Sequence, residues 1–164
     1  MNCIALIGMP AAGKSTVGVM LAKKLGYDFV DTDLLIQVRS ARTLPQIIAE
    51  DGFLALRQIE AEVITSLQRT QTVIATGGSA VYAEQSMAHL RKLGRIVYLR
   101  ARTRTLQQRI GDFQSRGIAA AADATLESLA IERTPLYDGF SDLTIDAEQD
   151  TDAVVTDVLR AISR

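Results

Sequence analysis

The 164-residue chain has no tryptophan, one cysteine, one histidine and three prolines, and aromatic residues make up 5% of it. One cysteine excludes an intrachain disulfide. Its place in the apolar run Cys3-Ile4-Ala5-Leu6-Ile7 makes it a small hydrophobe. The four Tyr and four Phe are scattered rather than interleaved with basic residues, which argues against base-stacking platforms. An excess of either charge is also missing: 18 Lys plus Arg stand against 19 Asp plus Glu, a formal net charge of -1. Nucleic acid is therefore not an expected partner, because no basic face could track a phosphate backbone. No apolar stretch approaches the ~20 residues of a membrane span, and no basic leader precedes the first apolar run. The expectation is a cytoplasmic protein without a membrane partner. The lone histidine, His89, lies far from every motif and receives no catalytic role.

With 48% hydrophobic residues the chain can bury one core and is too short for two ordinary domains, so residues 1–164 are read as a single domain. Short apolar runs at 3–7, 29–30, 72–75, 95–99 and 143–145 alternate with longer segments of helical period. That alternation predicts an α/β fold with a parallel sheet covered by helices. Leu56, Ile59, Val63, Ile64 and Leu67 form one apolar stripe; Val154, Val155, Val158, Leu159 and Ile162 form another after a cap-like Thr151 and Asp152. Gly94 and Pro135 read as punctuation. Residues 111–123 lack a clear period, carry Arg116 and Gly117, and read as a mobile lid.

Residues 8–16, Gly8-Met9-Pro10-Ala11-Ala12-Gly13-Lys14-Ser15-Thr16, fit G-x-x-x-x-G-K-[ST] between a strand pattern and a helix pattern. Gly8 and Gly13 let the chain turn with its N–H groups inward, Ala11 and Ala12 complete the cradle, and the following helix offers its positive end. The expected guest is a nucleoside triphosphate, with Lys14 on the β and γ phosphates and the Ser15 hydroxyl on magnesium. Thr16 continues the helix start. Farther on, Asp31-Thr32-Asp33 ends a short apolar run. Taken alone it is more simply the N-cap and first turn of a helix. Beside a phosphate cradle, Asp31 could instead orient water on the metal while Asp33 takes a proton from an attacking hydroxyl.

The phosphate loop, Asp31-Thr32-Asp33, Leu56-Arg57-Gln58-Ile59-Glu60, Ala75-Thr76-Gly77-Gly78-Ser79-Ala80-Val81 and Glu132-Arg133-Thr134-Pro135-Leu136-Tyr137 together resemble the shikimate kinases. The resemblance runs from about Ile4 to Asp146. It implies a three-layer α/β/α fold with a five-stranded parallel sheet of order 2-3-1-4-5, ATP and Mg2+ as cosubstrate and metal, and transfer of the γ phosphate to the 3-hydroxyl of shikimate. Asp33 would bind the acceptor's hydroxyls and act as base, Arg57 and Arg133 would clamp its carboxylate, and Gly77 and Gly78 would approach its ring. Metal contact would fall to Ser15 and Asp31, the latter through water. Arg116 matches a lid arginine that reaches the transferring phosphoryl group, and Arg109 a position near adenine. A monomer is expected. Two planar guanidinium forks also suit a carboxylate on chemical grounds. Alone, Arg57 could merely pair with Glu60, Arg133 with Glu132, and Gly77-Gly78 could be only a turn.

Two positions depart from the family pattern. Arg116-Gly117-Ile118-Ala119 replaces Arg-Pro-Leu-Leu, which predicts a looser lid and some ATP hydrolysis without acceptor. Ser79 replaces a third glycine and adds a hydroxyl beside the expected ring. Two other readings accompany the first: a kinase for another carboxylated polyol, such as gluconate, and a nucleotide-binding regulator of weak activity.

Overall fold

The five apolar runs form five parallel strands in a computed structural model that describes residues 2–111 and 116–163. They are β1 (Cys3–Ile7), β2 (Asp28–Asp31), β3 (Thr72–Ala75), β4 (Gly94–Arg100) and β5 (Leu143–Asp146), in the order β2-β3-β1-β4-β5. This is the expected 2-3-1-4-5 sheet. β1 and β3 are buried at every residue, as central parallel strands covered on both faces must be. Leu6 on β1 stands opposite Ala75 on β3 and Val97 on β4. The sheet order therefore diverges on either side of β1, and its carboxyl end opens into the crevice where α/β folds bind ligands.

Among the described residues eight α-helices connect and cover the strands: α1 (Lys14–Leu25), α2 (Thr32–Ser40), α3 (Leu44–Asp51), α4 (Phe53–Thr65), α5 (Glu84–Leu93), α6 (Thr103–Ile110), α7 (Leu126–Phe140) and α8 (Thr151–Ile162). The main core joins the strands to Val17 and Leu21 of α1, Met87 and Leu90 of α5 and Val154, Val155 and Val158 of α8. A second, smaller apolar cluster gathers Ile36, Leu44, Ile47, Leu56, Val63 and Ala119. It seats α2, α3 and α4 against the segment that follows Arg116, beside the carboxyl end of the sheet.

Three local outcomes differ from the sequence expectations. Pro135 does not stop a helix; α7 runs through it. An interior proline forfeits one backbone hydrogen bond. Here the helix is held by its inward face, where Arg133 and Tyr137 are fully buried and the Tyr137 ring stacks on Tyr98 at 5.0 Å between centroids. The cap of α8 is Asp150, whose side chain accepts from Ala153 N, rather than Thr151 or Asp152. Gly117, expected to loosen its segment, is closely packed. Its φ is +65°, and a Cβ there would stand 2.6 Å from Leu44 Cβ and 3.0 Å from Pro45 N, so its bareness lets the chain lie on the first turn of α3. Of the expected lid at 111–123, residues 112–115 lie outside the described residues.

Candidate active site

The turn from β1 into α1 alternates backbone hands, with φ of 146° at Gly8, 65° at Ala11 and 96° at Gly13. Such alternation turns successive N–H groups toward one point and builds an anion-binding nest at a helix N-terminus. Gly8 has no room for a side chain, since a Cβ would meet the Leu99 carbonyl oxygen at 2.6 Å. Lys14 is 8% exposed, and its ammonium donates to the carbonyls of Gly8 and Met9, both at 2.8 Å. Burial pushes its pKa down to about 8, against the attraction of Asp33, while Arg133 lowers it further. The charge is thus held over the nest by the loop's own backbone.

Asp31 and Asp33 divide two tasks. Asp31 caps α2, Oδ1 accepting from Asp33 N at 2.9 Å, and its Oδ2 accepts from the Ser15 hydroxyl at 2.5 Å. The cap and the link to the phosphate loop are therefore both present. Asp33 is not engaged in the cap through its carboxylate; it points toward Gly77, where a built Cβ would lie 3.0 Å from Oδ1. Burial pushes the Asp33 pKa up to about 6, with Asp31 raising it and Lys14 opposing.

Arg57 and Arg133 meet at one atom. Arg57 donates from Nε and Nη2 to the Ala119 carbonyl at 3.1 and 3.0 Å, and Arg133 donates from Nη2 to the same oxygen at 3.1 Å. Tyr82 lies between them: its ring is 3.8 Å from the Arg57 guanidinium carbon, and its hydroxyl accepts from Arg133 Nε at 3.1 Å. The simple pairings with Glu60 and Glu132 do not form. Arg133 is 1% exposed, which a guanidinium tolerates only when its donors are used. Gly78 closes the wall: a Cβ there would come within 2.9 Å of Arg133 Nη1, and its carbonyl accepts from the Tyr137 hydroxyl at 2.6 Å. The i, i+4 spacing of Arg133 and Tyr137 puts both on one face of α7.

These groups surround a cavity of about 600 Å³. Ala11, Ala12, Gly13, Lys14, Ser15 and Thr16 of the loop line it, together with Asp33, Gly77, Gly78 and Arg133. Arg109 and Arg116 also line it. Arg109 is tied to the loop after β5, donating from Nη1 to the Ala147 carbonyl at 2.8 Å, and Arg116 is exposed, with Nη2 at 3.5 Å from the Arg109 carbonyl. Three expected residues are not on its wall. Gly8 lies beneath the loop, Asp31 reaches the site through Ser15, and Arg57 lines an adjoining cavity of about 290 Å³ while sharing Ala119 with Arg133. His89 has a packing role, Nε2 lying 2.8 Å from the Leu67 carbonyl.

Sequence reasoning missed several wall residues. Glu60, 3% exposed on α4, faces the cavity, and burial pushes its pKa up to about 7, restrained by a hydrogen bond from Ser79 and raised further by Asp33. Its i, i+3 spacing from Arg57 suggested a surface pair and concealed that its carboxylate turns inward. Gln149, Asp150 and Thr151, between β5 and α8, line the end near Arg109. Nothing in their composition distinguished them from an ordinary helix start.

A parallel sheet of this order, a nest at the end of β1 and a buried lysine over it define a P-loop phosphotransferase. The chain belongs to the shikimate kinase family. The family model described as shikimate kinase matches residues 10–163. Shikimate kinase 2 of Pectobacterium atrosepticum is 35% identical over 164 residues, covering 97% of this chain and 95% of that one. The shikimate kinase of Bordetella pertussis is 39% identical over 146 residues, 87% of this chain and 69% of that one. Among solved structures, the shikimate kinase from Acinetobacter baumannii in complex with shikimate superposes with a TM-score of 0.91 at 31% identity, covering 99% of this chain and 93% of that one.

Proposed function

We propose that this protein is an ATP-dependent kinase that transfers the γ phosphate of ATP to the 3-hydroxyl of shikimate, yielding shikimate 3-phosphate and ADP. The observation that carries the reading is the convergence of Arg57 and Arg133 on a single oxygen, that of Ala119, which with Arg133 lines the same cavity as Lys14. Two guanidinium groups aimed at one acceptor atom suit a carboxylate, and they fix the acceptor's orientation as well as its affinity. The Ala119 carbonyl holds that point in this structure, so the acceptor's carboxylate would take over donors already organised.

Each residue has a stated part. The nest of Gly8, Ala11, Ala12 and Gly13, with Thr16 at the helix start, binds the phosphates, and Lys14 neutralises charge at the transferring group. Ser15 and Asp31 would hold Mg2+; their paired oxygens, a hydroxyl and a carboxylate 2.5 Å apart, suit a hard cation. Such an ion would supply positive charge against the charge developing on the phosphate. Asp33, whose carboxylate is free of the helix cap, accepts the proton of the attacking hydroxyl. Gly77 and Gly78 allow the ring to approach the wall, Arg116 reaches the phosphoryl group from the lid, and Arg109 flanks the adenine.

The chain is read as one domain over residues 1–164 with a lid at about 111–123, acting as a monomer in the cytoplasm. Among the described residues no helix is long and apolar enough to cross a membrane. The test is ADP release by the purified protein with ATP and magnesium, comparing shikimate, gluconate, AMP and no acceptor at equal concentration. Stimulation by shikimate alone is expected. Stimulation by gluconate or AMP instead would overturn the acceptor assignment, and ATP binding without stimulation by any of them would favour a regulator.

A further inference from the structure

Ser79 follows the Gly77-Gly78 turn and is 7% exposed. Its hydroxyl donates to Glu60 Oε2 in a short hydrogen bond. Glu60 Oε1 has no hydrogen-bond partner among the described residues. That oxygen does not turn to Arg57 one helical turn earlier, whose donors go to Ala119. It lies against Gly77, where a Cβ would overlap it and would stand 3.0 Å from Asp33 Oδ1. An unpartnered carboxylate oxygen at a cavity wall is unfavourable until a donor arrives, and an acceptor hydroxyl is such a donor. Ser79 lines the same cavity.

We propose that Ser79 is a positioning residue for acceptor recognition: by occupying Glu60 Oε2 it keeps the carboxylate turned so that Oε1 meets a hydroxyl of the acceptor at the Gly77 wall. The inference rests on the kinase reading for the acceptor's identity; the hydrogen bond itself does not depend on it. The groups that face Glu60 are Lys14 of α1, Asp33 of α2, Arg57 of its own helix, and Arg133 and Tyr137 of α7. Leu44 of α3 lines the same cavity as Glu60, while Tyr82 and, from α5, Ser86 share its adjoining cavity. Burial disfavours the charged form and the Ser79 hydroxyl favours it, so removing the hydroxyl raises the titration midpoint of Glu60. A polyol acceptor lacking a hydroxyl at that wall would lose the advantage of the site.

The experiment combines two readouts on the parent, Ser79→Ala and Ser79→Thr. The first is the titration of Glu60 in the free protein, followed by carboxyl 13C NMR with Glu60→Gln as the assignment control. The second is the pH dependence of KM and kcat with ATP and shikimate. Ser79→Ala is expected to move the Glu60 midpoint up by roughly one pH unit and to raise the KM for shikimate roughly tenfold, with the KM for ATP near the parent value and the melting temperature lowered at neutral pH and above, where Glu60 Oε2 loses its donor. Ser79→Thr keeps the hydroxyl and is expected to stay near the parent. An unmoved Glu60 midpoint in Ser79→Ala overturns the proposal, and so does a moved midpoint with an unchanged KM for the acceptor. If the parent does not phosphorylate shikimate, the acceptor reading fails. The midpoint and the KM of whichever acceptor stimulates ADP release then decide the role of Ser79.

Discussion

Arg57 and Arg133 are 76 residues apart in the chain yet donate to one oxygen, the Ala119 carbonyl, at 3.0 and 3.1 Å. One arginine comes from α4 and the other from α7, and the oxygen belongs to the segment just beyond Arg116. The two arginines proposed as the acceptor's clamp are thus joined to the segment proposed as part of a lid. On the proposed function, a bound carboxylate would exchange this neutral partner for a charged one, which would strengthen each bond and release Ala119.

Replacing Arg133 by lysine retains the charge and loses the fork. The KM for shikimate is expected to rise on the order of 10- to 100-fold, with the KM for ATP near the parent value. Steady-state kinetics with each substrate varied checks the split. The melting temperature is also expected to fall, because Tyr82 and Ala119 lose a buried partner.

Asp33→Asn removes the proposed proton acceptor while leaving the phosphate nest, Lys14 and the Ser15–Asp31 pair in place. Turnover is expected to drop by about 10² to 10⁴-fold. Nucleotide affinity measured by calorimetry is expected to stay near the parent value. An equal loss of ATP affinity would contradict the role given to Asp33.

Gly117→Pro restores the residue common in the family and is expected to harm this protein. Proline fixes φ near -65°, whereas Gly117 has a φ of +65° and rests on Leu44 and Pro45. A lid lifted from α3 is expected to lower kcat on the order of 10- to 100-fold and to raise ADP release in the absence of acceptor. Both are read in one coupled assay. A variant faster than the parent would show that the contact with α3 does not matter.

Glu60 links stability to pH. Its folded pKa, about 7, lies above the ordinary value of 4.5, so the folded state holds a proton that the unfolded chain releases between those values. The associated stability is complete below pH 4.5 and is lost as pH rises through 7, an effect of about 3 kcal/mol. Glu60→Gln is expected to abolish this component. Its melting temperature relative to the parent should therefore increase from pH 5 to pH 8.5, as followed by circular dichroism.

Much of the fold and the phosphate end of the site was legible in the sequence because local chemistry there is self-sufficient. The apolar runs of β1 to β5 and the loop from Gly8 to Ser15 carry their meaning within a few residues, and the family resemblance supplied the strand order. Asp33, Arg57 and Arg133 could be nominated by resemblance but not distinguished from surface ion pairs by spacing alone. Their partners come from distant elements: Ala119 joins two arginines, and Ser79 reaches Glu60. Pro135 misled for the same reason, since burial of Arg133 and Tyr137 overrides the local cost of an interior proline. Gly117 read as loosening a lid because sequence reports its freedom of φ and not the helix it touches.

The central claim is best tested by 31P and 1H NMR of the products formed from ATP, magnesium and shikimate. The account predicts one new phosphomonoester, coupled to the proton at carbon 3 of shikimate, formed together with ADP, and formed about 10² to 10⁴-fold more slowly with Asp33→Asn. Inorganic phosphate as the sole product, or an ester at another hydroxyl, would contradict it.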